Sequence, residues 1–280
     1  MRLRLRRHPQ VKFPAIAELQ PCNGRRKQRQ LDSEPLRGSV CTDKSGMSHR
    51  HPVDITTLTF LDYPKKAACI MWFNGCNLRC PYCYNPELVT EKSTTQVDEM
   101  EFLRERQGFL DAVVLSGGEI TLQPGLAELC QEIKQLGYLI KIDTNGSNPH
   151  VVEDLLSRKL IDYVAMDNKM PSTRSWQLPG GHVLYERFAK TLGLLKDSGI
   201  PYEIRTTVHP DLLDEADILQ MIREAHALGY NGTYYLQYFF TGVPTIGNMP
   251  APSRRYDRGL LDRHSPLPIG YRNFPEDRGK

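Results

Sequence analysis

Nowhere in the 280 residues do 18 apolar residues run together, and the charged N-terminus is not followed by the apolar core of a secretory leader. These absences argue against a membrane span and against export, and place the expected chain in the cytoplasm. Positive charge is missing where a nucleic-acid protein would need it. Residues 1 to 50 hold 12 Lys or Arg against 4 Asp or Glu, whereas the remaining 230 hold 24 against 29, a balance of −5. A body with that balance lacks the clustered cations that track phosphates. Cysteine is scarce and odd in number, with seven in all and none after Cys130. An odd set with three packed into eight residues suits a reducing compartment and a metal site better than a disulfide framework.

What is present divides the chain into three parts. Residues 1 to 50 are rich in Arg, Pro, Gly and Ser without apolar periodicity, so they read as a disordered or loosely attached extension. An organellar transit peptide and a start assigned upstream of a true Met47 both account for it. The second is preferred, because recognisable structure begins near Ile55. Residues 51 to 240 read as one catalytic domain, and residues 241 to 280 as a C-terminal extension of unknown role.

From residue 67 short apolar runs alternate with helical stretches. Strands are expected over 67–73, 112–115, 139–143, 163–166, 202–208 and 233–238, with helices around 97–106, 125–136, 149–157, 183–198 and 215–228. Repeated βα units joined by right-handed crossovers predict an α/β fold, a partial (βα)6 TIM-like barrel, with ligands at the carboxyl ends of its strands.

The segment Gly75-Cys76-Asn77-Leu78-Arg79-Cys80-Pro81-Tyr82-Cys83 follows the first of these strands. A structural zinc site closes with four ligands and an ordinary four-iron cluster takes four cysteines, so three thiols leave one position open for a substrate. A zinc site completed by a distant His, or a disulfide, is the blander use of the same loop. The next strand ends in Ser116-Gly117-Gly118-Glu119, where glycines permit close backbone approach and a carboxylate can face a cation. The third ends in Asp143-Thr144-Asn145-Gly146, which also suits a plain Asn-Gly turn. Later strand ends carry Asp167, Lys169, Arg205 and His209. Alternation points Arg205 to the same side as Thr207 and His209. Cys69 and Cys130 read as buried apolar thiols.

Cys-x3-Cys-x2-Cys with an aromatic before the third cysteine resembles the radical SAM superfamily. That resemblance implies a [4Fe-4S] cluster held by Cys76, Cys80 and Cys83, whose open iron chelates S-adenosylmethionine (SAM). One electron then cleaves SAM to a 5'-deoxyadenosyl radical. It further implies Tyr82 beside the adenine, Gly117, Gly118 and Glu119 at the SAM amino group, and Asp143, Asn145 and Arg205 among its polar contacts. Ile120 stands where relatives commonly have proline.

With Leu61-Asp62-Tyr63-Pro64, Asn85-Pro86-Glu87-Leu88 and Thr121-Leu122-Gln123-Pro124-Gly125 added, residues 55 to 210 resemble anaerobic ribonucleoside-triphosphate reductase activating proteins. That implies a glycyl-radical activase, with an anaerobic ribonucleotide reductase-like partner and a flavodoxin- or ferredoxin-type electron donor. Tyr84 departs from the histidine common there. A small molecule or another peptide is the alternative substrate, and a non-enzymatic zinc module the remote one. The absence of cysteines after Cys130 argues against auxiliary clusters.

Overall fold

The computed structural model describes residues 41–42, 48–49, 51–90, 97–178, 181 and 183–275. Most of residues 1 to 50, and with it the reading of a loose extension, lies outside the described residues. A two-residue antiparallel ladder pairs Cys41–Thr42 with Ser48–His49.

One eight-stranded sheet organises the rest, with its strands in sequence order. They are β1 (Asp54–Thr59), β2 (Ala68–Phe73), β3 (Ala112–Gly117), β4 (Leu139–Thr144), β5 (Tyr163–Asp167), β6 (Tyr202–Val208), β7 (Tyr234–Tyr238) and β8 (Ile269–Arg272). Only β1 runs antiparallel to its neighbour. Because β1 and β8 end the sheet without pairing, the barrel stays open, and the fold is the expected α/β partial TIM-like barrel. Six strands match the apolar runs to within two residues. The two edges do not come from apolar runs: Asp54–Thr59 reads DITTLT and is mostly exposed, and Ile269–Arg272 reads IGYR. Edge strands bury little surface, so hydrophobic patterning marks them weakly.

Among the described residues, seven α-helices follow the strands: α1 (Pro86–Val89), α2 (Glu99–Glu105), α3 (Leu126–Gln135), α4 (Pro149–Ser157), α5 (Leu184–Ser198), α6 (Glu215–Ala227) and α7 (Arg258–His264). Their boundaries are written locally. In α3, Leu126, Leu129, Cys130 and Ile133 recur at three- and four-residue spacing and are buried. Asp214 and Asp217 close a capping box at the start of α6, and Gly199 ends α5 at φ 76°.

Alternation along the strands separates two interiors. Cys69, Val113, Leu115, Ile140, Ile142, Val164 and Met166 pack with the helices in the main core, which also buries Cys130. The opposite face is layered along the barrel axis. Tyr63, Ala68, Ile70, Ala112 and Val114 form a small apolar cluster at its amino end. Nearer the carboxyl ends the register brings Asp143 level with Ala165 and Glu203, and Asp167 level with Arg205 and Tyr235. The polar layer lies where the predicted motifs converge.

Candidate active site

The cysteine loop leaves β2 through Gly75, at φ 91°, and is closed against α1 by Gly75 N donating to Leu88 O at 2.7 Å. Leu78, fully buried, pins its middle into the core, and Cys83 N donates to Cys80 O at 3.1 Å. Cys76, Cys80 and Cys83 all line one cavity of about 390 Å³ at the carboxyl ends of the strands. That volume suits a small-molecule ligand.

The neighbouring glycine turn is locked to this loop. Gly118 N donates to Phe73 O at 2.9 Å and Glu119 N to Gly75 O at 2.8 Å. A Cβ on Gly118 would sit 2.5 Å from the Gly75 carbonyl carbon and nearer still to its oxygen. On Gly117, at φ 128°, it would sit 2.5 Å from Phe73 N. The two glycines therefore serve first to bring two strand-end loops into backbone contact.

Glu119 also faces the protein. Its carboxylate, 1% exposed, accepts from Thr121 N (3.1 Å), Thr121 Oγ1 (2.6 Å), Thr144 Oγ1 (2.6 Å) and Asn145 N (2.7 Å). Burial raises its pKa against the pull of these four donors. The same carboxylate caps the short 3-10 turn Ile120–Leu122, so the turn is held with Ile120 in place. Asn145 is engaged likewise: its Nδ2 donates to Asn77 Oδ1 at 3.0 Å and its Oδ1 accepts from Ser147 N at 2.9 Å. Asn77 Nδ2 in turn donates to Ser147 Oγ at 2.8 Å, tying the cysteine loop to the end of β4.

The predicted Asp143 and Arg205 meet in the polar layer. Arg205 Nη2 lies 3.1 Å from Asp143 Oδ2, and its Nε donates to Asp167 Oδ1 at 3.0 Å. Lys169 pairs with Asp167 at 3.4 Å, Lys141 pairs with Asp143, and Ser116 Oγ donates to Asp143 Oδ2 at 3.0 Å. Burial alone would raise the Asp143 pKa, but Arg205 and then Lys141 outweigh it and hold the carboxyl well below its ordinary range. Arg205 and Lys169 likewise lower Asp167 against the effect of burial.

Tyr82 is buried in the cavity wall, with its hydroxyl 3.4 Å from Lys169 O. His209 is corrected: although alternation aligned it with Arg205, β6 ends at Val208 and the ring is buried elsewhere, Nε2 lying 3.0 Å from Pro250 O. Period-two reasoning fails once the strand ends. Tyr84 accepts from Phe240 N at 2.7 Å and packs against Phe239 and Phe240, linking the cysteine loop to the end of β7.

Sequence reading missed Asp62, Trp72, Asn85, Gln237 and Asn273 in the cavity wall, and Lys141 beneath it. Lys141 had a signal, since a charge between Ile140 and Ile142 in a core strand needs a buried partner. Of the others, Asp62 and Asn273 follow the edge strands, Asn85 precedes a short helix, and Trp72 and Gln237 lie within β2 and β7, where alternation alone does not say which face meets a ligand.

The cavity's charge fits the implied ligand. Asp62, Glu119, Asp143 and Asp167 face Lys169 and Arg205, a formal −2, or −1 with Lys141 included. SAM, with its sulfonium, ammonium and carboxylate, carries a net positive charge that such a wall attracts. Burial pushes the Cys76 thiol up to about 12 and also raises that of Cys80.

An open, mainly parallel barrel with a three-cysteine loop after its first parallel strand, beside a glycine turn, is the architecture of iron-sulfur enzymes that use SAM. The sequence model of the Radical SAM superfamily matches residues 70–225, and this chain belongs to that superfamily. It is 39% identical over 174 residues to a Methanocaldococcus jannaschii protein provisionally named a glycyl-radical enzyme activating enzyme, covering 59% of this chain and 70% of that one. It is 29% identical over 185 residues to the pyruvate formate-lyase-activating enzyme of Clostridium pasteurianum, covering 58% and 76%. Among solved structures it resembles Streptococcus suis SuiB bound to the precursor peptide SuiA, with a TM-score of 0.55 at 16% identity. That match covers 72% of this chain but 47% of SuiB, so the chain spans about half of that structure and the likeness is one of fold.

Proposed function

We propose that Cys76, Cys80 and Cys83 hold a [4Fe-4S] cluster with one open iron, that SAM occupies the cavity beside it, and that the substrate is a glycine in a glycyl-radical partner enzyme of the anaerobic ribonucleotide reductase type. The observation that carries this reading is the convergence of three thiols on one anionic cavity walled by the glycine turn and the polar layer. When loaded and reduced by a flavodoxin- or ferredoxin-type donor, the cluster supplies the electron that splits SAM into methionine and a 5'-deoxyadenosyl radical able to take a hydrogen atom from a glycine α-carbon.

The chain's own residues bind and orient. Backbone groups of Gly117 and Gly118 line the cavity next to the cysteine loop, while Glu119 and Asn145 fix the loops on either side. Lys169, which pairs with Asp167 alone, is better suited to a ligand carboxylate than Arg205, which is held between Asp143 and Asp167. Tyr82 presents an apolar wall for the adenine. The activase assignment draws on the 39% identical relative.

Anaerobically reconstituted protein given dithionite and SAM is expected to release 5'-deoxyadenosine and methionine, and Cys80→Ala to release none. Incubation with the glycyl-radical partner is expected to leave a glycyl radical visible by electron paramagnetic resonance. Turnover by Cys80→Ala would defeat the cluster assignment, and SAM cleavage without any protein radical would redirect the substrate to a small molecule or another peptide.

A further inference from the structure

The polar layer does not end at Arg205. Two residues earlier on the same face of β6, the buried carboxylate of Glu203 lies 4.0 Å from Arg205 Nη1. A second arginine holds it. Arg272, on β8, donates from Nη1 and Nη2 to the two oxygens of Glu203, both at 2.8 Å, and Tyr163 Oη donates to the same carboxylate at 3.3 Å. The pair reaches past β7 to join the last strand of the sheet to β6.

The place of Arg272 is built by its neighbours. Its guanidinium carbon lies 3.8 Å from the centroid of the Tyr235 ring, on the intervening strand. Gly270, level with Tyr235 and two residues before Arg272, makes room for that ring, since a Cβ there would sit 2.5 Å from Tyr235 Cδ1. Charges of alternating sign therefore run inward from the edge of the sheet: Arg272, Glu203, Arg205, then Asp143 and Asp167, then Lys141 and Lys169. Glu203 and Arg272 stand outside the cavity wall.

The outer pair decides how Arg205 is used. A carboxylate as buried as Glu203 needs a cation, and among the described residues its ion pairs are with Arg272 and Arg205 alone. While Arg272 holds it on both oxygens, Arg205 stays on Asp143 and Asp167. Without Arg272, Glu203 would draw Arg205 away from the two aspartates, and Asp167 would hold Lys169 more firmly in its place. The uncovered charge of Glu203 would by itself favour a cationic ligand. It lies behind Arg205, however, whereas Lys169 is in the cavity wall, and the nearer charge has the larger effect.

Resting on the reading that SAM occupies this cavity, we infer that Arg272 and Glu203 are positioning residues for SAM. Their pair keeps Arg205 on the aspartates and so leaves Lys169 available to the SAM carboxylate. Strand β8, which carries no cysteine and no recognisable motif, thereby becomes part of the SAM site.

The test measures SAM affinity by equilibrium dialysis on anaerobically reconstituted wild type, Arg272→Ala and the double variant Glu203→Gln with Arg272→Ala, at matched iron and sulfide content. Arg272→Ala is expected to bind SAM about 10-fold more weakly, the size of one charge-assisted hydrogen bond. In the double variant no buried charge is left to draw Arg205, so affinity is expected to return to within about 3-fold of wild type. A merely structural loosening of β8 would weaken the double variant at least as much as the single one.

An unchanged affinity in Arg272→Ala, or a double variant as weak as the single, would overturn the inference. Should Arg272→Ala fail to fold by circular dichroism, Arg272→Met, which keeps the packing on Tyr235 without the charge, carries the same comparison. Either overturning result, with wild type still binding SAM and forming 5'-deoxyadenosine, refutes the positioning role alone. Wild type that does neither would instead refute the reading beneath it.

Discussion

The substitution Glu119→Gln keeps the shape of a buried side chain and changes one acceptor into a donor. The carboxylate receives four hydrogen bonds, three on Oε1 from Thr121 N, Thr121 Oγ1 and Thr144 Oγ1, and one on Oε2 from Asn145 N. In its better orientation the introduced carboxamide keeps its oxygen toward the three donors and turns its NH2 toward Asn145 N, so two donors face each other across 2.7 Å. A buried donor left without an acceptor costs about 1–3 kcal/mol, and the three retained bonds lose their charge assistance. Against this, removing the charge relieves the burial that raises the Glu119 pKa. The net expectation is a loss of about 2–4 kcal/mol.

The assay is urea unfolding of the anaerobically purified apo protein at pH 7. With a slope of roughly 2–3 kcal/mol per molar urea, the midpoint should fall by about 1 M at unchanged slope. A loss below about 0.5 kcal/mol would refute the reasoning. It would mean that the carboxyl is already protonated at neutral pH, with its proton doing what the carboxamide N–H does, and that Glu119 is no ionic staple between the turns after β3 and β4.

Two further outcomes follow from the same geometry. Gly118→Ala places a methyl inside the Gly75 carbonyl, where real contacts stay beyond 3.0 Å. The loops must part and lose the Glu119 N to Gly75 O bond, so a loss of at least about 3 kcal/mol, or failure to accumulate folded protein, is expected from urea midpoints and soluble yield. Acid should weaken the apo protein through Asp143 and Asp167, whose folded pKa values lie below the unfolded value of about 4. Their contribution is present above that unfolded value and lost as pH falls through the folded ones. A stability profile flat from about pH 5 to pH 2 in wild type, or as steep in Asp143→Asn, would contradict that assignment.

Much of the site was legible because its residues sit beside their own strand ends. Cys76, Cys80 and Cys83 share one loop, and a loop after a parallel strand lies at the ligand end of such a barrel whatever the rest of the fold does. Gly117 and Gly118 were equally plain as residues, but their partner was not. They were expected to let a ligand approach, and the first thing they admit is the backbone of Gly75. Glu119 and Asn145, expected to face a ligand, line the cavity and are also held by Thr121, Thr144 and Asn77, contacts separated by up to 68 residues along the chain. No local pattern encodes those pairings.

By itself, then, the sequence determined the barrel class, six of its eight strands and the placing of three thiols on one loop, because periodic burial and residue spacing are local properties. Only the tertiary structure decided which face of β6 turns to the cavity, that Arg205 is enclosed by Asp143 and Asp167 while His209 is turned away, and that two weakly patterned edge strands deliver Asp62 and Asn273 to its mouth. Those facts depend on closing long loops to bring distant charges and amides together, and a chain read one window at a time contains no measure of that closure.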